Sequence, residues 1–436
     1  MRRVEVVAVE PLDDCGAIVI VRSDAEVGEL VAAPLSGANA SERSWVARLD
    51  ADGEVVWSTL FESSNGTSLE DVAVDGGTAY VVGETEGEGL TVARRSGVET
   101  IAVPGGQGVM LELALDDGAL DTFLFTANPA RFLAIERLNG VSYIAGWYRQ
   151  ELIFGSEALA TCTSSHCSMV LRDDGASTAW VHTIEPSDGT GHRAIWSHLA
   201  VEGDRLVVGG SLVGSVDDRM LPSDRGLMVA ELGLATLDER WLVMVHSSDR
   251  ERLVGLRLAG EATDVFVSWT NDIMVGGSLP PVSSAPGDAH SWLRLGQGTL
   301  QRSRTWMAML RPASSSVRDL LGTLDGHVLV AGATQARTSL DGSNAAASFV
   351  GDTSSHVNAF WAQLDTSGTR DVVLSSATLD NDAPVTNGAS AQRATVVAAR
   401  DGQVYLAGTF DGNGSPVPNA PPAGDSDAFI VFGAPP

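Results

Sequence analysis

A short apolar phrase ending in glycine recurs along this chain and restricts its fold more than any other feature. Tyr80-Val81-Val82-Gly83 is answered by Tyr143-Ile144-Ala145-Gly146, Leu206-Val207-Val208-Gly209, Leu329-Val330-Ala331-Gly332 and Tyr405-Leu406-Ala407-Gly408. Successive glycines lie 63, 63, 123 and 76 residues apart, so the period is near 63 and the long interval holds two units. In the skipped unit Ser268 of "DVFVSWT" takes the glycine place, and one period before Gly83 the chain reads Ile20 within "AIVIVRS". Seven degenerate units therefore span the 436 residues. A fixed period of this size marks stacked supersecondary units rather than unrelated domains.

Within a unit the order is constant. "LEDVAV" is a β-rich run, Asp75-Gly76-Gly77 a turn, "AYVVGE" a second run, and a long polar segment follows. A third run such as "WVARLD", a turn such as Asp52-Gly53 and a fourth run such as "VVWSTLF" complete the set. Asp-Gly and Asn-Gly between strand-like runs favour tight hairpins because both residues tolerate the positive φ that such turns need. The device recurs at Asp117-Gly118, Asn139-Gly140, Asp174-Gly175, Asp325-Gly326 and Asp401-Gly402. No segment sustains a 3.6-residue apolar period over helical length, which excludes an α-solenoid. The expected fold is all-β, a seven-bladed β-propeller of four-stranded antiparallel blades forming one domain. Its blades fall at about 4–61, 69–126, 131–185, 193–246, 252–311, 317–378 and 393–432.

"LEDVAVDGGTAYVVGET", followed after a gap by the "WVARLDADGEVVW" type of half-unit, resembles the bacterial β-propeller repeats often called SBBP repeats. The resemblance covers essentially the whole chain and is weakest in "LVGLRLAGEATDVFVSWTND". It implies a seven-bladed, extracytoplasmic protein, secreted or surface-attached, and no catalytic residues, since the family fixes none. The last blade departs from a closed ring: "ATVVAA", "VYLAGTF" and "DAFIVF" supply three strands, one short of four. An upstream segment carrying a closing strand and an export signal is therefore expected, because an open edge strand is an aggregation liability. Met1-Arg2-Arg3 meets Glu5 before any apolar stretch develops, so these residues do not read as a signal peptide.

Charge narrows the partners. Acids outnumber bases 56 to 28, a net charge of −28, and every base is arginine. The absence of lysine excludes a P-loop lysine, a Schiff-base lysine and an SxxK nucleophile, none of which arginine can replace. The acidic field repels nucleic acid and anionic membrane, and no apolar run reaches the ~18 residues of a membrane span.

Strands alternate in direction, so the segments between second and third strands share one face, and the short Asp-Gly turns lie opposite. Those segments are long, at 23–43, 84–106, 147–166, 210–225, 269–289, 333–357 and 409–426, and long loops are commonly functional. Two begin with aromatic and polar groups suited to sugars or peptide side chains: Trp147-Tyr148-Arg149, and Trp269 followed by Asn271 and Asp272. The bland reading of both tryptophans is packing between blades.

Cys162 and Cys167 in "TCTSSHC" are expected to form a small-loop disulfide; free thiols, or a metal site helped by His166, are the other readings. No HExxH, GxSxG or CxxC occurs, so no catalytic residue and no metal ligand set is assigned. No cofactor is expected; calcium has only the weak support of "DADGE" at Asp50 to Glu54, which a hairpin turn explains better. The leading expectation is a non-enzymatic binding scaffold for protein or glycan. Its alternative is a propeller hydrolase or lyase acting on carbohydrate or peptide. That enzyme would use carboxylates of the long-loop face such as Glu84, Glu86, Asp217, Asp218, Asp249, Asp272, Asp380 and Asp382.

Overall fold

The computed structural model describes residues 4–24, 42–175, 180–187, 191–216, 219–247, 251–276, 282–307, 316–321, 328–334, 338–339, 349–350, 358–365, 372–378, 391–400, 403–411 and 427–433. Every regular element among them is a β-strand, so the all-β class holds. Among the described residues no helix is long and apolar enough to cross a membrane.

The strands form successive antiparallel groups. The first pairs Val4–Pro11, Ala17–Ser23, Arg43–Leu49 and Val55–Ser63 in sequence order. The second pairs Thr67–Asp75, Thr78–Thr85, Gln107–Ala114 and the start of Leu120–Leu138. The end of that long strand opens the third group, with Val141–Phe154, Glu157–Asp173 and Trp180–Ile184. Arg193–Glu202, Arg205–Val216, Arg219–Gly233 and Glu239–Ser247 follow, and then Glu251–Ala259, Ala262–Val275, Val282–Gly296 and Thr299–Met307. The sixth group pairs Ser316–Leu321, Val328–Thr334, Asn358–Asp365 and Val372–Thr378; among the described residues the seventh has three strands, Ala391–Arg400, Gln403–Asp411 and Asp427–Gly433.

Hydrogen bonding does not keep these groups apart as the expected separate blades would be. The ladders join into sheets of six, fifteen, four, two and three strands. Two causes are visible. Leu120–Leu138 runs from one group into the next without a turn, and hairpins that the sequence reading took for loops reach back to the preceding group. Leu90–Arg94 and Gly97–Ile101, inside the 84–106 segment, pair with each other, and the first of them pairs with the outer strand Val55–Ser63 through Leu60↔Ala93 and Phe61↔Val92. Phe154 pairs with Thr126, and Val275 with Val245, in the same sense. Ser187 N–H donates to the Ser215 carbonyl at 2.7 Å between groups three and four. The 147–166, 210–225 and 269–289 segments are thus largely strand extensions, and each occupies donors and acceptors at a neighbour's outer edge that would otherwise stay unpaired.

The cores lie between groups. Ile18, Ile20 and Phe61 of the first pack with Leu69, Val81 and Leu111 of the second. Val82 and Met110 meet Phe132 and Ile144, Tyr143 and Val170 meet Trp196 and Val208, and Val229 and Val245 meet Leu253 and Val267. Leu329 and Trp361 of the sixth meet Val397 and Leu406 of the seventh. The seventh in turn packs on the first, with Ala398, Tyr405 and Ala407 against Val4, Val19 and Trp45. Each face is apolar because a neighbouring sheet covers it, so the strands carry apolar residues on both sides.

One irregularity repeats in the first strand of every group. A β-bulge leaves Val7, Glu70, Leu133, Ser197, Val254, Arg318 and Thr395 without a register partner. The residue just before the bulge faces Gly83, Gly146, Gly210, Gly332 and Gly408 in five groups, and Val21 and Val267 in the other two. This corrects the sequence alignment by one position in three units: Gly210 rather than Gly209, Val21 rather than Ile20, and Val267 rather than Ser268. Two adjacent glycines, and the absence of any in units one and five, leave the register open until the bulge sets it. Val21 and Val267 show that glycine is not obligatory for the bulge itself.

Candidate functional site

The short turns are used by their own backbone. Asn139 and Gly140 both have positive φ, 53° and 80°, as a tight hairpin requires. In "DADGE" the Asp50 Oδ1 accepts the N–H groups of Asp52 at 3.0 Å and Glu54 at 2.9 Å. That carboxylate serves the turn, which is the hairpin reading of the calcium-like pattern.

The third group carries three predicted residues in succession, with different fates. Trp147 is half-buried; its ring meets His166 edge-on at 4.5 Å, and the Arg149 guanidinium lies 5.4 Å from the indole centroid. Arg149 is exposed and has no register partner; its Nε donates to His166 Nε2 at 3.0 Å, with Nη2 2.5 Å from the same nitrogen. Burial, with help from the Arg149 and Arg193 charges, pushes His166 down to about 4, so the imidazole is neutral and can accept. Tyr148, by contrast, is 1% exposed within the core, and burial pushes its phenol up to about 12. Its expected ligand role is corrected: the strand alternation that points Trp147 and Arg149 outward points Tyr148 inward.

Trp269 is corrected for the same reason. It is 1% exposed, packs between groups four and five, and donates its indole N–H to Ser291 Oγ at 2.7 Å. That is the packing alternative, not a ligand platform. Asn271 and Asp272 lie on the strand Ala262–Val275, with side chains outside the described residues. Asp217, Asp218, Asp249, Asp380 and Asp382 also lie outside them.

Cys162 and Cys167 form a disulfide, with Cα atoms 5.8 Å apart. It lies within a strand, not a loop. Tyr148 faces Cys167 and Gln150 faces Cys162, so residues 163–166 bulge out opposite Arg149 alone. Ser165 Oγ donates to the His192 carbonyl at 2.6 Å, and His166 bridges to Arg193, tying this excursion to group four. Cys15 is a free thiol at a turn with φ 62°.

A second cluster, of which the sequence reading named only Glu84, lies across groups one to three. Arg22 donates to Ser68 Oγ at 2.7 Å and to Glu70 Oε1 at 2.9 Å. Arg131 also donates to Ser68 Oγ, at 3.1 Å, and to Glu70, and lies 3.5 Å from Glu84. Glu5 and Glu42 flank Arg22 at 3.8 and 3.5 Å. Glu70 is the bulge residue, and the bulge is what turns it toward both arginines. Burial pushes Glu84 up to about 7, opposed by Arg131 and aided by Glu86 and Glu70, with Arg149 also lowering it. That influence marks the two clusters as electrostatic neighbours. Only the offset between Glu70 and its register could have hinted at this site, and offsets are invisible before pairing is known.

No protein-family model matches the chain, and no curated protein matches it.

Proposed function

We propose that the protein is a seven-bladed β-propeller of the SBBP type acting outside the cytoplasm as a non-enzymatic scaffold, with ligand held on the hairpin-bearing face by Trp147 and Arg149. The observation carrying the architecture is the packing of the seventh strand group on the first, together with a bulge at one equivalent position in every group. Such recurrence favours a radial arrangement in which each sheet meets its neighbours the same way. The Cys162–Cys167 disulfide supports an oxidising compartment.

For the ligand, the supporting observation is an exposed guanidinium whose neighbours are a neutral imidazole and an indole, on a chain of net charge −28. This favours a carboxylated glycan or an acidic peptide side chain, whose anion pairs with Arg149 while its apolar part lies against Trp147. The test is a glycan and peptide array read with the wild type, Trp147→Ala and Arg149→Ala. Carboxylated ligands lost in both variants support the reading; retention in both overturns it.

The hydrolase or lyase reading keeps one observation in its favour. Burial pushes the Glu84 carboxyl up to about 7, and Glu70, beside the same arginine, accepts from Arg22, Arg131 and Ser68. A carboxyl raised toward neutrality beside a second carboxylate is a feature of general acids. Release of reducing ends from an array hit, abolished by Glu84→Gln, would establish it in place of the scaffold.

A further inference from the structure

The strand ladder pairs the backbones of both cysteines, on either side of the 163–166 excursion, independently of the bond between them. Cys167 is opposite Tyr148 and Cys162 opposite Gln150, so strand pairing places their Cα atoms 5.8 Å apart. Just past the last strand of the same group stands Glu185. Its carboxylate oxygen and both sulfurs all lie within 4.8 Å of one another.

Glu185 is oriented for a further partner. Its Oε1 accepts the Thr163 N–H at 2.6 Å, the Thr163 hydroxyl at 2.6 Å and the Ser164 N–H at 3.0 Å. Among the described residues its Oε2 has no hydrogen-bond partner. These bonds fix the carboxylate and keep it ionised, which is how the groups around a metal ligand commonly position it.

We propose that, when the Cys162–Cys167 disulfide is reduced, Cys162, Cys167 and Glu185 bind one Zn2+ ion, leaving the fourth position to water. Two thiolates and a carboxylate suit zinc and not the hard cations magnesium and calcium. Three protein ligands with an open place are the arrangement of zinc sites that exchange ligands. The chemistry balances with a dithiol reductant. The reductant gives two electrons and closes into its own disulfide, the S–S bond breaks, and its two protons pass to the cysteine sulfurs. Zinc then displaces both protons as the thiolates coordinate. The site goes beyond the glycan- or peptide-binding reading and does not depend on it.

The test uses the full chain carrying Cys15→Asn, which removes the third thiol at a positive-φ position that asparagine tolerates. The protein is reduced with a dithiol, desalted under nitrogen, checked for two free thiols and for unchanged far-UV circular dichroism, and titrated with Co2+. One Co2+ per chain with a thiolate-to-cobalt charge-transfer band, displaced by one equivalent of Zn2+, is expected. Glu185→Gln should keep the band but weaken affinity by about tenfold or more; Cys162→Ser should lose tight binding, and the oxidised protein should bind none. Absence of the band in reduced protein, equal affinity in Glu185→Gln, or equal binding by the oxidised form would each overturn the proposal.

Discussion

Gly146 faces Phe132 across the ladder, and the carbonyl of Arg131 occupies the space where a side chain on Gly146 would begin. The same holds for Gly83 and Gly210: a Cβ on Gly83, Gly146 or Gly210 would stand 2.7, 3.1 or 2.8 Å from the Cα of Leu69, Phe132 or Trp196. The bulge pushes the first strand toward the second, and glycine accommodates the approach. This accounts for glycine at positions 83, 146 and 210.

Gly83→Ala and Gly146→Ala are therefore expected to lower unfolding free energy by about 1–3 kcal/mol, because backbone must move to admit the methyl. Gly77, on the same hairpin as Gly83, has open space around it, and Gly77→Ala should stay within about 0.5 kcal/mol of wild type. Urea unfolding of the three variants checks this; equal effects at Gly77 and Gly83 would remove the steric explanation.

Stability should depend on pH through Glu10. Burial, and then Asp71, pushes its carboxyl up to about 8 against the opposing Arg400 charge. Glu136 is raised well above its ordinary value by burial and by Glu10 and Asp71. A folded pKa above the unfolded value means that the native protein keeps a proton the unfolded chain releases. The contribution is intact below the ordinary value of 4.5 and is lost as pH rises through about 8. His198, which burial pushes down to about 4, acts at the other end: its contribution is lost as pH falls from 6.5 toward 4. Thermal melts of Glu10→Gln should decline less than wild type between roughly pH 5 and 8. Parallel pH profiles would contradict it.

The junction of groups four and five depends on a buried ion pair. Arg205 Nη2 donates to Glu231 Oε2 at 2.6 Å and also to Thr263 Oγ1 of the next group at 3.2 Å. Arg240 and the Trp241 indole N–H also reach Glu231, each at 3.1 Å. Arg205→Ala should cost about 3–5 kcal/mol, because it leaves a buried carboxylate short of its main partner. Arg240→Ala, at the exposed side of the same carboxylate, should cost at most about 1 kcal/mol. Chemical denaturation distinguishes them, and equal losses would mean that Glu231 is not buried in solution.

The disulfide closes a short loop, so replacing both Cys162 and Cys167 with serine should cost about 2 kcal/mol in thermal or urea unfolding. The more specific consequence concerns His166. Freed from its place against Arg149 and Arg193, its pKa should rise from about 4 toward the ordinary 6.5. An NMR titration that leaves His166 unchanged in the double variant would show that the ladder alone holds it.

Local chemistry explains what could be read before folding. Alternating β-branched and aromatic residues bounded by pairs such as Asn139-Gly140 dictate strand and turn through interactions only a few residues long, so the all-β class and the spacing of the hairpins were legible. The one-residue errors at Gly209, Ile20 and Ser268 arose because an apolar run has no register of its own; only pairing with a bulged strand supplies one.

By itself, then, the order of amino acids determined that this chain is built from repeated hairpins with apolar faces. The packing of one group on the next decided which face is covered, and with it that Tyr148 and Trp269 are core while Trp147 and Arg149 are not. It also decided that polar segments such as 84–106 and 269–289 fold back as strands onto their neighbours, and that Glu70 meets Arg22 and Arg131 from two other groups. Contacts between residues some fifty or more positions apart depend on where whole sheets come to rest, and no short stretch of sequence encodes that position.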